Sequence, residues 1–550
     1  MNDVRTIQCN SSPHKVTKNL FEALQALRLS NKTCRIWVDS VCINQEDTDD
    51  RTNQVKRMTQ IYRDALGVFI WLGLSTTTTS VAVDLIHDLN AKGPSLLEYS
   101  KGVNFIGTEV LREMGLPTPT GDPQWIALDQ FLSQSWFGRV WTIQEAAVSK
   151  QATVACGQCR IHWNLLVEAC YVARKANLTG FRDILSQRGY NRVLRIGNYQ
   201  HSQSGHNPNM FTLEDLLCLE RSALATDDRD KVFSLLGLAS DIYLQGQDTI
   251  APDYNTTAAS VYIQVASWLA RRNKSLRFLG LAGALLSQGR YLLPSWVPDW
   301  SIASDIAPID SHDMLFPYSA SGGEKGEAHI TNFGRSLVLK GILFDYVLDI
   351  STTLKGYANS DSDTLDSTWA NWTAMIERYS IKPGSVNSKP MIAYSDLRKA
   401  FQATIFGDRW VDGKILAAEH YDHYPTWLEW RQDRVGPRVL HYELDMEKMN
   451  SNFLYDKRFR EFCYGRRLFI TQRGFIGIAI EAMSKGDAVC IFEGGRVPCI
   501  LRSFLHFIGD GQQAPFQVME EWQLIGDAYL HGAMDGQGYE RSEAREFVIS

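Results

Sequence analysis

No run of the sequence is long and apolar enough to cross a bilayer, which takes roughly 20 consecutive apolar residues. The most apolar candidate, Leu276 to Leu286, is too short and is interrupted by Arg277. The opening residues, Met1 to Asn10, are polar. No secretory leader is therefore expected, and Asn-x-Ser/Thr sites such as Asn31 and Asn177 carry no weight. An excess of positive charge is also missing. With 56 Lys and Arg against 62 Asp and Glu, the net charge is -6. That balance gives no global reason to bind nucleic acid or an anionic membrane. Internal repeats and low-complexity tracts are absent. So are a P-loop, a G-x-G-x-x-G opening a helix, a G-x-S-x-G and an H-E-x-x-H. These absences argue against a nucleoside triphosphatase, an ordinary dehydrogenase, an α/β-hydrolase and a zincin-type protease. Catalysis built from other parts stays open.

What is present points to a large folded chain. The 550 residues are 44% hydrophobic with 15 Trp, enough for a substantial core and more than one domain. The ten Cys are scattered, many within apolar runs. That distribution suits reduced thiols and a cytoplasmic location rather than a disulfide framework.

Periodicity alternates between helix and strand over the N-terminal third. Thr17 is placed to cap a helix whose apolar face is Leu20, Leu24 and Leu27. Arg35 to Ile43 reads as a strand buried on both faces. The acidic stretch Glu46 to Asp50 opens a helix with Val55, Met58, Ile61, Tyr62 and Ala65 on one stripe. Gly67 breaks it, and Val68 to Leu72 reads as a second buried strand. A helix over Val81 to Leu89 precedes a Gly/Pro-marked loop from Gly93 to Pro123. Then come a helix from Trp136 to Val148, a strand at Thr153 to Cys156 and a helix after His162. Such alternation implies an α/β domain with a doubly wound parallel sheet over 1–176. The expected order beyond it is a linker or surface loop at 177–210, a mainly helical region at 211–310, an irregular region with insertions at 311–465, and a β-rich module at 466–535. Gly474, Gly477, Gly486, Gly494 and Gly495 mark tight turns in that module.

Several blocks are specific enough to carry a family resemblance. The run RIWVDSVCINQEDTDDRTNQVKRMTQIYRDALGVFIWLG (Arg35 to Gly73) and the run FLSQSWFGRVWTIQEAAVSKQATVACG (Phe131 to Gly157) resemble the central blocks of the fungal heterokaryon incompatibility (HET) family. DDRDKVFSLLGLASD, PDYNTTAASVYIQVASWLA and LPSWVPDWS resemble the blocks that follow in long members. RRLFITQRGFIGIAIEAMSKGDAVCIFEGGRVPCILR and YLHGAMDG resemble their C-terminal segment. The family's opening Ser-Tyr-x-Trp-Gly strand has no counterpart before the first helix, so an N-terminally short sheet is expected.

The resemblance implies an effector of self/non-self recognition and programmed cell death. It also implies a remote similarity to TIR domains, some of which cleave NAD with a single Glu. In SQSWFGRVWTIQE the corresponding carboxylate is Glu145, with Ser135 and Trp136 at the helix start and Arg139 placed to meet a phosphate. Asp39 and Ser40 lie near the carboxyl end of the first expected strand, where doubly wound sheets bind ligands. On this reading NAD is the substrate, no further cofactor is required, and self-association of the α/β domain assembles the site. A bland reading stands beside it. Glu145 pairs with Arg139 or with solvent, Asp39, Asn44 and Gln45 cap a loop, and Trp37 and Trp71 are core. The chain is then a signalling module acting through protein contacts alone, or a paralogue without activity. Cys156-Gly-Gln-Cys159 has a C-x-x-C spacing but no second pair at a metal-binding distance, and reads as structural.

Overall fold

The computed structural model describes residues 3–28, 32–101, 106–119, 122–176, 178, 184–203, 211–242, 250–272, 276–283, 289–304, 306–312, 318–355, 362–380, 394–410, 414–433, 446–508 and 517–550. They form two compact units, Met1–Thr257 and Ala258–Ser550.

The first unit opens with an antiparallel hairpin of β1 (Val4–Cys9) and β2 (Ser12–Thr17), turned by Asn10 and Ser11 at φ 49° and 68°. Positive φ at both central residues is what a two-residue hairpin needs. Strands are therefore present where the sequence reading placed none, but they form a sheet of their own. Thr17 caps α1 (Lys18–Leu27) by accepting from the Leu20 N–H at 3.3 Å.

Arg35 to Ile43 does not form the expected buried strand. Residues 32–38 make no ladder, Arg35 and Ile36 are exposed, and Asp39–Cys42 turns into a short helix, α2. The Asp39 carboxylate lies in its first turn, where the helix dipole favours negative charge. Next comes α3 (Thr48–Asp64), capped by Asp47, which accepts from the N–H groups of Asp49 and Asp50 at 3.0 Å each.

The sheet at the centre of this unit is smaller than expected. Here β3 (Val68–Trp71) runs parallel to β4 (Ala152–Cys156), which pairs antiparallel with β5 (Cys159–His162). The unit is mixed α/β, but β3 and β4 are the one parallel pair among its described strands, because the Arg35 to Val38 segment never joins the sheet. Between β3 and β4 lie α4 (Thr79–Ser100), α5 (Thr108–Glu113), α6 (Pro123–Leu132) and α7 (Trp141–Ala147). The expected loop from Gly93 is helix as far as Ser100. Gly93 serves packing there, since a Cβ would sit 2.8 Å from Val172 Cγ2. After β5 follow α8 (Trp163–Lys175), α9 (Ile184–His201), α10 (Leu213–Leu219) and α11 (Asp230–Leu236). Thus α9 occupies much of the stretch whose polar composition suggested a linker.

The second unit begins with α12 (Ala258–Arg272) and is built on a closed ring of strands. These are β6 (Ala328–Thr331), β7 (Ser336–Ile350), β8 (Arg466–Thr471), β9 (Ile476–Ile480), β10 (Ala488–Phe492), β11 (Cys499–Ile508), β12 (Gln517–Leu530) and β13 (Arg545–Ile549). Pairing runs β7–β8–β9–β12–β11–β10 and back to β7, antiparallel throughout. Every one of these strands contributes to one cluster, for example Ile342, Phe469, Ala479, Val489, Ile500 and Ala528. Their alternate neighbours Leu468, Ile470 and Ile478 face a second cluster. It is shared with α13 (Ser362–Ser380), α14 (Leu397–Phe406), α15 (Ala418–Asp433) and α16 (Met446–Cys463), which bring in Trp372, Phe401, Trp427 and Phe459. The barrel therefore starts at Ser336, well before the β-rich module read at 466. No helix among the described residues is long and apolar enough to cross a membrane.

Candidate functional site

A cavity of about 330 Å³ opens in the first unit. Its walls come from three places in the chain. Asp39 stands at the start of α2, Arg51, Val55 and Met58 lie along α3, and Arg139 to Trp141 lead into α7. The third wall, Leu224 to Thr226 with Asp230 and Tyr254, arrives from the segments around α11.

Backbone and side-chain bonds fix that third wall. The Val140 N–H donates to the Leu224 carbonyl at 2.9 Å, and the Leu224 N–H donates to the Gly138 carbonyl at 2.7 Å. The Tyr254 N–H donates to Thr52 Oγ1 at 3.2 Å, anchoring the far end to α3. Two guanidinium groups lie over the Tyr254 ring, Arg51 at 3.7 Å and Arg229 at 5.0 Å from its centroid. Its hydroxyl donates to Asp230, which also accepts from the Trp141 indole. Arg51 completes the knot through Asp227 at 3.1 Å. Arg229 holds Asp227 with two parallel bonds, at 2.9 and 2.8 Å. Burial pushes the Asp227 carboxyl up, but the Arg229 and Arg51 contacts outweigh it and leave the pKa lowered. Asp230 goes the other way: burial dominates and its pKa is raised.

Glu145 is the fifth residue of α7, four after Trp141. It keeps some surface, yet the protein packed around it desolvates the carboxyl and raises its pKa to about 7. Arg139 pulls the value down and Asp39 pushes it up. Tyr62 shares the environment. Burial raises its phenol well above the usual value, with Glu145 and Asp39 adding to the rise and Arg139 opposing it.

Of the residues singled out in the sequence, the structure thus gathers Asp39, Arg139 and Glu145 within electrostatic reach of one another. Asp39 and Arg139 line the cavity, while Glu145 is not among its lining residues. The other three are not among its lining residues either. Ser40 is exposed, and its N–H donates to Asp39 Oδ1 at 2.7 Å. Ser135 starts a 3-10 turn, Ser135–Gly138, and is exposed. Trp136 is buried edge-on against Phe137 and Trp163, with ring centroids 5.2 and 5.9 Å away. Sequence reasoning missed Arg51, Asp230 and Tyr254. The DDRDK and PDYN blocks that contain the last two are far from α3 in sequence, and only folding joins them.

Trp37 meets Tyr62 edge-on at 5.6 Å, and Trp71 stacks on Phe69 at 6.2 Å. Both are packing contacts. Among the described residues no three His, Cys, Asp or Glu side chains converge as a metal-holding group.

Comparison with known proteins bears on this geometry. Residues 1–145 match the family model described as heterokaryon incompatibility protein (HET), and residues 409–550 match the Het-6 beta-barrel domain. The chain is also similar to heterokaryon incompatibility protein 6, OR allele, of Neurospora crassa. The two are 24% identical over an alignment covering 98% of this chain and 87% of that protein. No solved structure matches. The first match ends at Glu145, so Leu224, Asp230 and Tyr254, which close the cavity, lie outside it. In the same way β7 of the ring precedes the second match.

Proposed function

We propose that this chain, a HET-domain protein that also carries a Het-6 β-barrel domain, acts in fungal heterokaryon incompatibility as an effector of cell death, by splitting NAD at the cavity of its first unit. Similarity to a Neurospora heterokaryon incompatibility protein over nearly the whole chain supports the role in incompatibility. The observation that carries the chemical step is Glu145, a carboxyl raised to about 7 beside the cavity residues Asp39 and Arg139.

The chemistry suits those groups. Cleaving the nicotinamide–ribose bond builds oxocarbenium character on the ribose. A carboxylate next to the sugar stabilises that charge until water adds to the ribose carbon, giving ADP-ribose and releasing a proton. The leaving nicotinamide departs neutral from a cationic ring, so no general acid is needed. Arg139 suits a phosphate and Asp39 a ribose hydroxyl. A cavity of about 330 Å³ is within the range of small-molecule sites.

Purified full-length protein at high concentration, given NAD, is expected to release nicotinamide. Glu145→Ala should lower the rate at least a hundredfold without moving the melting temperature downward. Since the ionised form of Glu145 does the work, turnover should rise with pH through a midpoint near 7. An oligomeric full-length sample that releases no nicotinamide would overturn the enzymatic reading.

A second reading draws on Glu145 not being among the residues that line the cavity. On it the first unit signals by protein contacts, self-association first, and the carboxyl shapes the wall without touching a ligand. Forced expression of Glu145→Ala in fungal cells separates the two. Continued killing supports the contact reading, and survival supports the enzyme.

A further inference from the structure

Two pairs of cysteines face each other across antiparallel strands, Cys156 with Cys159 and Cys490 with Cys499. All four are free thiols. Residues opposed in an antiparallel ladder have Cα atoms about 4.5–5.5 Å apart and side chains on one face. That separation lies within the roughly 4.4–6.8 Å that a disulfide spans. Access distinguishes the pairs. Cys490 and Cys499 are both buried in the barrel. Cys156 is buried, but Cys159 is partly exposed, across a two-residue turn.

We propose that Cys156 and Cys159 are a redox modification site: peroxide closes them to a disulfide, and closure releases a latch that ties β4 to the Leu74–Thr79 turn ahead of α4. The latch is the Cys156 thiol itself. Its S–H donates to the Leu74 carbonyl at 3.6 Å, and the sulfur lies 3.7 Å from Thr79 Oγ1. Thr79 Oγ1 in turn accepts from the Thr76 N–H at 2.9 Å. The turn between the cysteines is held against the same segment. The Gly157 N–H donates to the Gly73 carbonyl at 2.8 Å, and Gly157 has φ +57°. A Cβ there would strike Ser75, so only glycine lets the two loops meet so closely.

The chemistry balances in two steps. Hydrogen peroxide oxidises the accessible Cys159 thiol to a sulfenic acid and leaves as water. The Cys156 thiol then attacks that sulfur, the S–S bond forms, and the hydroxyl departs with the thiol proton as a second water. A small dithiol reverses the reaction by exchange. Burial raises the Cys156 pKa, and its hydrogen bond to Thr79 only partly offsets this, so the partly exposed Cys159 is the one to meet the oxidant. Once bonded, Cys156 has no proton to give, and the Leu74 carbonyl loses its donor.

The test is favoured by the sequence, because cleavage after Lys150 and Arg160 yields a peptide holding both cysteines and no other. Full-length protein would be treated with graded hydrogen peroxide, alkylated and digested. The expected product is that peptide lighter by two hydrogens and unalkylated, returning to the doubly alkylated form after dithiothreitol. Cys490 and Cys499 should stay alkylatable throughout. The proposal is overturned if both thiols of the peptide still alkylate at doses that exhaust the exposed Cys34 and Cys42. In Cys159→Ser the Cys156 thiol should remain alkylatable; equal loss of it would also overturn the pairing. Hydrogen exchange over Leu74–Thr79 should quicken several-fold on oxidation and recover on reduction. Exchange unchanged by a fully formed disulfide would sink the latch.

Discussion

Glu145 sits in a protein environment that works against its charge. Its folded pKa, about 7, is above that of an unfolded Glu. The native state therefore prefers the protonated form, and the wild type loses stability as pH rises from the unfolded value through about 7. Glu145→Gln carries no such penalty. It should melt with the wild type near pH 4 and be more stable above pH 7, by on the order of 2 kcal/mol after allowing for its partial exposure; thermal melts across that range check it. Glu220 shows the opposite case. It is buried, and although burial alone would raise its pKa, contacts from Arg195 and Arg192 lower it. Arg195 Nε donates to it at 2.9 Å and the Tyr199 hydroxyl at 2.8 Å. Removing it strands the buried Arg192, whose ion pair among the described residues is with Glu220. Glu220→Ala should cost about 3–5 kcal/mol in denaturant unfolding, more than an exposed ion pair such as Lys101–Glu98 would.

Among the elements, β7 is the one on which the ring depends. It pairs with β6, β8, β10 and β13. At Gly341 a Cβ would lie 2.5 Å from the Ile491 carbonyl oxygen and 2.9 Å from Phe492 Cα. Gly341→Val should thus part β7 from β10 and cost on the order of 3 kcal/mol, read as a lowered midpoint for the second unit. How far elements are legible in sequence follows from where their signals come from. Asp47 and Thr17 cap their helices with bonds made a few residues away, so α1 and α3 can be read directly. Arg35 to Val38 has the apolar, β-branched character of a strand, but a strand needs a partner, and pairing is not a local property. The Asp-Ser at 39 and 40 starts a helix instead. Gly93 looks like a breaker and is a contact with α8. The site divides along the same line. Asp39, Arg139 and Glu145 stand out by motif and do come together. Arg51, Asp230 and Tyr254 were hidden because an arginine over a tyrosine ring some two hundred residues away leaves no trace in either segment.

For the whole molecule the division at Thr257 makes a direct claim. Residues 258–550 contain a ring of strands filled by its own apolar cluster and backed by four helices through another. Expressed alone they should melt cooperatively and show the near-ultraviolet dichroism of packed Trp372 and Trp427. A broad, non-cooperative melt would count against an independent core.

The closed ring also imposes a timetable. Leu339 in β7 pairs with Phe547 in β13, and Val489 with Asp345. At about 5–20 residues per second, roughly two hundred residues of synthesis separate the emergence of β7 from that of its last partner, some 10–40 s. During that interval a strand with Leu337, Leu339, Ile342, Phe344 and Val347, all buried in the finished protein, has left the ribosome without the neighbours that cover it. Whatever attends the nascent chain has to shield that one segment: the ring cannot close before β12, the last of its six strands in sequence, is delivered, and β7 is fully paired only when β13 follows.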